Sequence, residues 1–295
     1  MISGPDFICI GAPKSGTTWL YQNLNRHPSI WLPPVKELHY FDTLYPLPRY
    51  AIRKSHPRGI FGLCRRYSRR KILHVFYRVA RKGSLKELIW AYRYFSGSSD
   101  ENWYMSLFEG HDDLLTGDLT TDYCALSEEA VSNIKSFLPE LKVVYLMRNP
   151  IERAWSHAKM LLPGLLGKSY AHISDEEFIN YLRHPAPQLR GNYPRTIKIW
   201  EGIFGQQQLF MGFFDEVVNS PRDLYIRLLD YLGVGSGQKF IPVDLERRVN
   251  VGSVSENHVM PDPVRECLIK QYRDDMEWLA GRFGGYASKW LDDLI

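Results

Sequence analysis

Apolar positions along the chain come in short blocks separated by turn signals, and the blocks alternate between strand-like and helix-like periodicity. Phe7 to Gly11 (FICIG) is a continuous apolar run and reads as a buried strand. After a loop holding Pro13, Lys14 and Gly16, a helix begins near Gly16 and carries Leu20 and Leu24 on one face to about His27, where Pro28 bars its continuation. Farther on, Ser127 can cap a helix with Glu128 and Glu129 in its first turn and Ala130, Ile134 and Phe137 on its apolar face; Pro139 stops it. Leu141 to Met147 (LKVVYLM) reads as a fully buried parallel strand, because it is continuous and β-rich. It runs into Arg148-Asn149-Pro150, and the proline suits the first turn of a helix over Ile151 to Lys159. Leu209 to Phe213 predicts a third strand, followed by a helix with Ser220 as cap, Pro221 at its first position and Gly233 past its end. Asp262-Pro263 opens a last long helix toward Trp278. Strands alternating with helices predict an α/β fold: a three-layer α/β/α sandwich on a central parallel sheet, with ligands at the carboxyl ends of the strands.

Composition adds bounds. With 295 residues, 44% of them hydrophobic, the chain suffices for one substantial core, so residues 1–295 are expected to form a single domain. The start has no basic region before its short apolar run, and no stretch approaches the ~20 apolar residues of a membrane span. A cytoplasmic protein is the expectation. Cys9, Cys64, Cys124 and Cys267 are widely separated and form no C-x-x-C pair, so neither a disulfide framework nor a structural metal is expected.

Charge changes the picture locally. Between Arg49 and Arg93 there are fourteen Lys/Arg against one acid, Glu87, so that stretch carries +13 and the remainder −9 within a net +4. Ile72, Val75, Phe76 and Val79 form an apolar stripe at helical spacing, with Lys71, His74, Arg78 and Arg81 largely off it. Ser84-Leu85-Lys86-Glu87 reads as a capping box opening a second helix with Leu85, Leu88, Ile89 and Tyr92 on one side. Residues 46–99 are therefore expected to be a basic, helical insertion or lid. It could dock on an anionic membrane or an acidic acceptor, or its stripes could simply pack on the core with the charges facing water.

The order strand, glycine loop, helix at Phe7 to Leu20 builds an anion pocket, because first-turn amides lack internal partners and the helix dipole favours negative charge. Gly11-x-x-x-x-Gly16 echoes the P-loop of nucleotide triphosphatases, yet Thr17 stands where that motif needs lysine, and the lysine sits inside the loop as Lys14. Pro13 to Leu20 (PKSGTTWL) resembles the 5′-phosphosulfate loop, P-K-[ST]-G-T-T-x-L, of the sulfotransferases that use 3′-phosphoadenosine 5′-phosphosulfate (PAPS). The resemblance implies a P-loop-like fold, with Lys14, Ser15, Gly16, Thr17, Thr18 and Trp19 at the donor. It continues in VVYLMRNPIERAWSH, which is similar to the family's 3′-phosphate motif and assigns Arg148 and Ser156 to that phosphate, a fork donor and a hydroxyl converging on one anion. Arg247 and Arg248 stand where the family has a basic loop closing over the same phosphate.

A base must take the acceptor's proton. Lys36-Glu37-Leu38-His39-Tyr40-Phe41 resembles K-E-x-x-[FY]-F of the Golgi-type and bacterial branch, which implies Glu37 as general base. If the stretch is extended, His39 lies on the same side and could replace or assist it. A plain salt bridge of Glu37 with Lys36 or Arg26 is the bland alternative. Gly117 to Tyr123 looks like G-E-x-[ST]-P-x-Y, with Asp118 and Thr121 departing from it, and points to Asp118 and Tyr123 at the substrate; Asn192-Tyr193 similarly suggests Tyr193.

Together these imply sulfonyl transfer from PAPS to a hydroxyl or amine, without metal, leaving 3′-phosphoadenosine 5′-phosphate. The acceptor is expected to be a small molecule, lipid-like or carrier-bound, and not nucleic acid. A small-molecule kinase with a degenerate P-loop fails on the missing lysine after Gly16. A non-enzymatic binder of anionic surfaces leaves the two phosphate sites and Glu37 unexplained.

Overall fold

The computed structural model describes residues 4–47, 85–97, 99–247 and 259–294. Its sheet has five strands, β1 (Phe7–Gly11), β2 (Ile30–Trp31), β3 (Leu115–Leu119), β4 (Lys142–Met147) and β5 (Leu209–Phe213), in the order β2-β3-β1-β4-β5. Every pairing is parallel. The helices are α1 (Thr17–Leu24), α2 (Phe41–Leu44), α3 (Leu85–Ser96), α4 (Glu101–Ser106), α5 (Glu128–Phe137), α6 (Pro150–Leu166) and α7 (Asp175–Leu182). They continue with α8 (Pro185–Gly191), α9 (Tyr193–Phe204), α10 (Phe214–Asn219), α11 (Pro221–Leu232), α12 (Asp262–Phe283) and α13 (Gly285–Asp292).

Side-chain alternation divides the core into two layers. Ile8 and Ile10 of β1, with Val143, Tyr145 and Met147 of β4, join one cluster completed by α5, α6, α9 and α12. Phe7 and Cys9, with Val144 and Leu146, face the other, where Leu20 and Leu24 of α1 meet Leu224, Leu228 and Leu232 of α11. Continuous apolar strands follow from this burial on both faces. The expected three-layer α/β/α sandwich is the fold found.

The boundaries show where local signals mislead. β1, β4 and β5 fall where the apolar runs place them, but β2 and β3 were not expected. β3 reads LTGDL, with glycine and aspartate both disfavoured in strands. Gly117 is there because the ring of Phe7, its register partner, occupies the space a side chain would need. The α1 helix closes at Leu24, earlier than Pro28 suggests, and α6 runs on to Leu166 through Pro163, ending at Gly167 in a left-handed cap. Ser220 makes no side-chain cap, and α12 extends to Phe283 before α13.

Helix α3 forms where expected, and its Leu85 row does not take the alternative of packing on the core. Trp90, Ala91 and Tyr94 face inward, whereas Leu85, Leu88, Ile89 and Tyr92 are exposed. Two apolar rows compete on this helix, and the aromatic one wins because Trp90 and Tyr94 stack at 5.0 Å and the Trp90 indole N–H donates to the Leu107 carbonyl at 2.9 Å. The stripe at Ile72, Val75, Phe76 and Val79, the Ser84 cap and Arg248 lie outside the described residues. Among the described residues, no helix is long and apolar enough to cross a membrane.

Gly117→Ala is expected to destabilise the fold by about 2 kcal/mol, the scale of overpacking a tight core. The added methyl would sit 2.3 Å from Phe7 Cζ. Urea unfolding followed by fluorescence checks it.

Candidate active site

Chain order reverses across β1, with β3 on one side and β4 on the other, so loops leaving β1 and β4 diverge and open a crevice. The first of these loops is pinned to the second strand, since the Ala12 amide donates to the Leu146 carbonyl at 2.7 Å. Lys14, with φ 73°, and Gly16, with φ 88°, take the left-handed conformations that turn the chain sharply into α1. No acidic residue occupies the first turn of α1, so its free amides face the crevice without a built-in counter-charge. The Lys14 ammonium reaches only as far as the thioether of Met160, at 3.7 Å. Burial and the neighbouring charges of Arg148, Lys159 and Lys36 hold its pKa below the ordinary lysine value.

The segment after β2 supplies the second half of the site. It does not meet the condition of being extended: Glu37 has φ 69° and His39 φ 57°, both left-handed. The two side chains meet nonetheless, with His39 Nε2 3.6 Å from Glu37 Oε2 and His39 Nδ1 2.9 Å from Asp42 Oδ2. The Lys36 ammonium donates both to Thr17 Oγ1 and to Glu37 Oε1, each at 3.2 Å, and Thr121 Oγ1 donates to Glu37 Oε1 at 3.1 Å. The salt bridge of Glu37 with Lys36 is therefore present; Arg26 pairs with Asp244 instead.

Burial alone would raise the Glu37 carboxyl, but the His39 hydrogen bond and the Lys36 charge outweigh it and pull the pKa down to about 2. For His39, burial opposes the charged form. Hydrogen bonds to Asp42 and Glu37, with the charges of Asp42 and Asp122, overcome it and lift the pKa to about 10. At neutral pH His39 is thus an imidazolium between two carboxylates and not a base. Among the described residues, His39, Asp42 and Asp122 bring three possible metal-ligand atoms within 4.8 Å of one another. The His39 proton already serves Asp42, and Arg190 grips Asp122 through two bonds of 2.7 and 3.1 Å, so this cluster is neutralised by its own cations.

Asp118, Tyr123 and Tyr193, expected at the acceptor, are instead buried at 1%, 0% and 0% exposure. Asp118 accepts from Thr120, Tyr123 and Tyr104 at 2.7, 2.8 and 3.1 Å. Tyr123 and Thr120 in turn accept from the Tyr40 and His39 amides, so this network holds the Glu37–His39 turn from behind. Tyr193 accepts from the Arg148 amide at 3.3 Å. Ser15 and Trp19 also lie inside, and the Trp19 indole N–H donates to the Leu245 carbonyl at 2.8 Å, fastening the loop that carries the exposed Arg247 to α1. Thr17 and Thr18 start α1. Arg148 leaves the end of β4, and Ser156 is half-buried two turns along α6.

A family model described as the sulfotransferase family matches residues 5–236, most of the chain. The chain belongs to that family. Mouse and rat carbohydrate sulfotransferase 15 are each 27% identical to it over 262 residues, covering 82% of this chain and 40% of the relative. The chain therefore spans about 40% of the length of these curated relatives. A crystal structure of a sulfotransferase from Alicyclobacillus acidocaldarius superposes with a TM-score of 0.65 at 23% identity, covering 97% of this chain and 98% of the other. The sulfotransferase domain of the Synechococcus PCC 7002 olefin synthase gives 0.56 at 13% identity, covering 92% and 94%. Both show the same fold.

In the sequence Lys36 stood only as a salt-bridge partner for Glu37 and Thr121 only as a departure from the family segment, and Asp42 was not named. Asp42 stood three residues beyond His39 and was findable by spacing, whereas the bond from Thr121 to Glu37 spans 84 positions and has no local signature.

The His39 shift has a measurable consequence. Its folded pKa lies above the unfolded value, so its contribution to stability is complete below about pH 6.5 and is lost as pH rises toward about 10. In His39→Asn that decline of Tm between those pH values should disappear. Thermal unfolding across the window measures it.

Proposed function

We propose that the chain transfers a sulfonyl group from PAPS to a hydroxyl or amine of its acceptor, releasing 3′-phosphoadenosine 5′-phosphate. One observation carries this reading: a single ammonium, Lys36, joins Thr17 at the mouth of the anion loop to Glu37, so the donor pocket and a carboxylate base share one crevice. The donor fits the charge pattern. Burial, together with the charges of Arg148, Lys159 and Lys36, depresses the pKa of Lys14, and an anion among these cations would oppose that depression.

Lys14 would stabilise the charge that grows on the oxygen bridging phosphate and sulfur, with the α1 amides, Thr17 and Thr18 assisting. Arg148 and Ser156 would hold the 3′-phosphate, with Arg247 closing over it. Glu37 would take the acceptor proton. With Lys36 and His39 as its partners its carboxyl is a weak base, because both stabilise the charged form. Donor phosphate drawing Lys36 toward itself would leave Glu37 more basic, which couples base strength to donor binding. The name of the mammalian relatives makes sugar hydroxyls the first acceptors to assay; lipid-like and carrier-bound alcohols form the second panel.

Lys14→Ala should lower turnover by about two orders of magnitude, the scale of losing one preorganised donor to transition-state charge. Near-normal turnover would remove its assigned role. Glu37→Gln should abolish transfer and leave binding of 3′-phosphoadenosine 5′-phosphate intact, because the carboxylate serves the acceptor. Calorimetric titration beside a transfer assay checks both halves. The reading as a whole rests on a thermal-shift comparison: 3′-phosphoadenosine 5′-phosphate should raise Tm where ATP does not. Stabilisation by ATP alone would return the kinase reading.

A further inference from the structure

Arg148 meets three groups as it leaves β4. Its Nη2 and Nε donate to Glu152 Oε2 at 2.7 and 3.2 Å, and its Nη1 donates to the Lys14 carbonyl at 3.4 Å. Its guanidinium carbon stands 4.7 Å from the centroid of the Phe214 ring. Phe214 opens α10, and the same ring crowds the loop from the other side: a Cβ on Gly16 would lie 3.2 Å from Phe214 Cδ2. One ring therefore touches both the anion loop and the arginine.

Glu152 is an unusual partner for an arginine assigned to phosphate. Its side chain is 57% exposed and that of Arg148 22% exposed, so the pair is screened by water and weak. Ser156 lies four residues beyond Glu152 and shares its helix face one turn on. The edge of Arg148 that would grip an anion beside Ser156 is thus the edge Glu152 now occupies. A phosphate offers the same fork-matching oxygens with more charge, and it cannot settle there alongside Glu152 without like-charge repulsion.

We infer that Glu152 is an intramolecular stand-in for the 3′-phosphate, occupying the Arg148 fork until a nucleotide displaces it, while the Phe214 ring holds the guanidinium in place through the exchange. This rests on the PAPS reading and extends it. Both are positioning residues, acting on the nucleotide through Arg148. Glu152 then weakens binding of donor and product alike, and it refills the fork as the spent nucleotide leaves, which speeds product release.

The test titrates the full chain with 3′-phosphoadenosine 5′-phosphate and with adenosine 5′-monophosphate, which lacks the 3′ group. Glu152→Gln should tighten the first ligand about two- to fivefold, the scale of one exposed ion pair removed as competitor, and leave the second unchanged. Phe214→Leu keeps a bulky contact on Gly16 but removes the ring face. It should weaken the first ligand about two- to fivefold and spare the second, the scale of an exposed cation–π contact, and Phe214→Trp should restore binding. Thermal unfolding of each ligand-free variant separates these effects from a loss of fold. A wild type that does not prefer the 3′-phosphorylated ligand overturns the PAPS reading itself. A wild type that does, with Glu152→Gln binding it no more tightly, overturns the stand-in. Equal losses for both ligands in Phe214→Leu reduce that ring to a packing role.

Discussion

Pairing of β1 with β4 is the constraint on which the site depends. The register runs from Phe7 opposite Lys142 to Gly11 opposite Tyr145, with an irregularity between Cys9 and Gly11, and the Ala12 amide adds one more bond to Leu146. Those contacts set where the Lys14 loop begins relative to where Arg148 ends. Both strands are buried on both faces, so a slip of one residue would turn apolar side chains into the wrong layer, and the two core clusters resist it together. The Lys14 loop and an arginine from a distant part of the chain are held together by the core itself.

Electrostatics then divides the crevice into two regions of opposite sign. Lys14, Lys36, Lys159 and Arg148 gather around the loop, and Glu37, Asp42 and Asp122 gather behind it. Lys36 and His39 lie along the border. Each would be costly in a partly buried setting if alone, and each is compensated by a carboxylate within hydrogen-bond reach. Glu37 can stay ionised at 32% side-chain exposure because of these neighbours, although burial works against it. The buried Asp118 network supports the turn that brings Glu37 and His39 together, so buried residues behind the crevice govern the geometry of that pair.

Membership of the sulfotransferase family speaks to the class of group transferred, while the acceptor is chosen by whatever lines the crevice beyond Glu37. Around the site Met160 stands beside Lys14, and the Asp122–Arg190 pair lies near His39. The outward row of Leu85, Leu88, Ile89 and Tyr92 on α3 lies at the end of the basic stretch between Arg49 and Arg93.

Much of this was legible in the residues alone. Continuous apolar runs locate β1, β4 and β5 because a strand buried on both faces has no alternative composition, and Pro13 to Leu20 marks the turn from β1 into α1 because its glycine and threonines serve local backbone needs. The motifs at Lys36 and Arg148 likewise stand in short contiguous stretches. Tertiary structure alone decided β3, whose glycine makes sense only opposite the Phe7 ring, and the burial of Asp118, Tyr123 and Tyr193, which the family resemblance had implied at the acceptor. It also decided the protonation of His39, the turned path of the Glu37 segment, and the contacts of Phe214 with Gly16 and Arg148. The reason is the range of the forces involved. Propensity and local hydrogen bonding act over a few residues and leave a trace in the sequence, whereas burial and the field of charges brought from remote segments exist only once the chain has closed on itself.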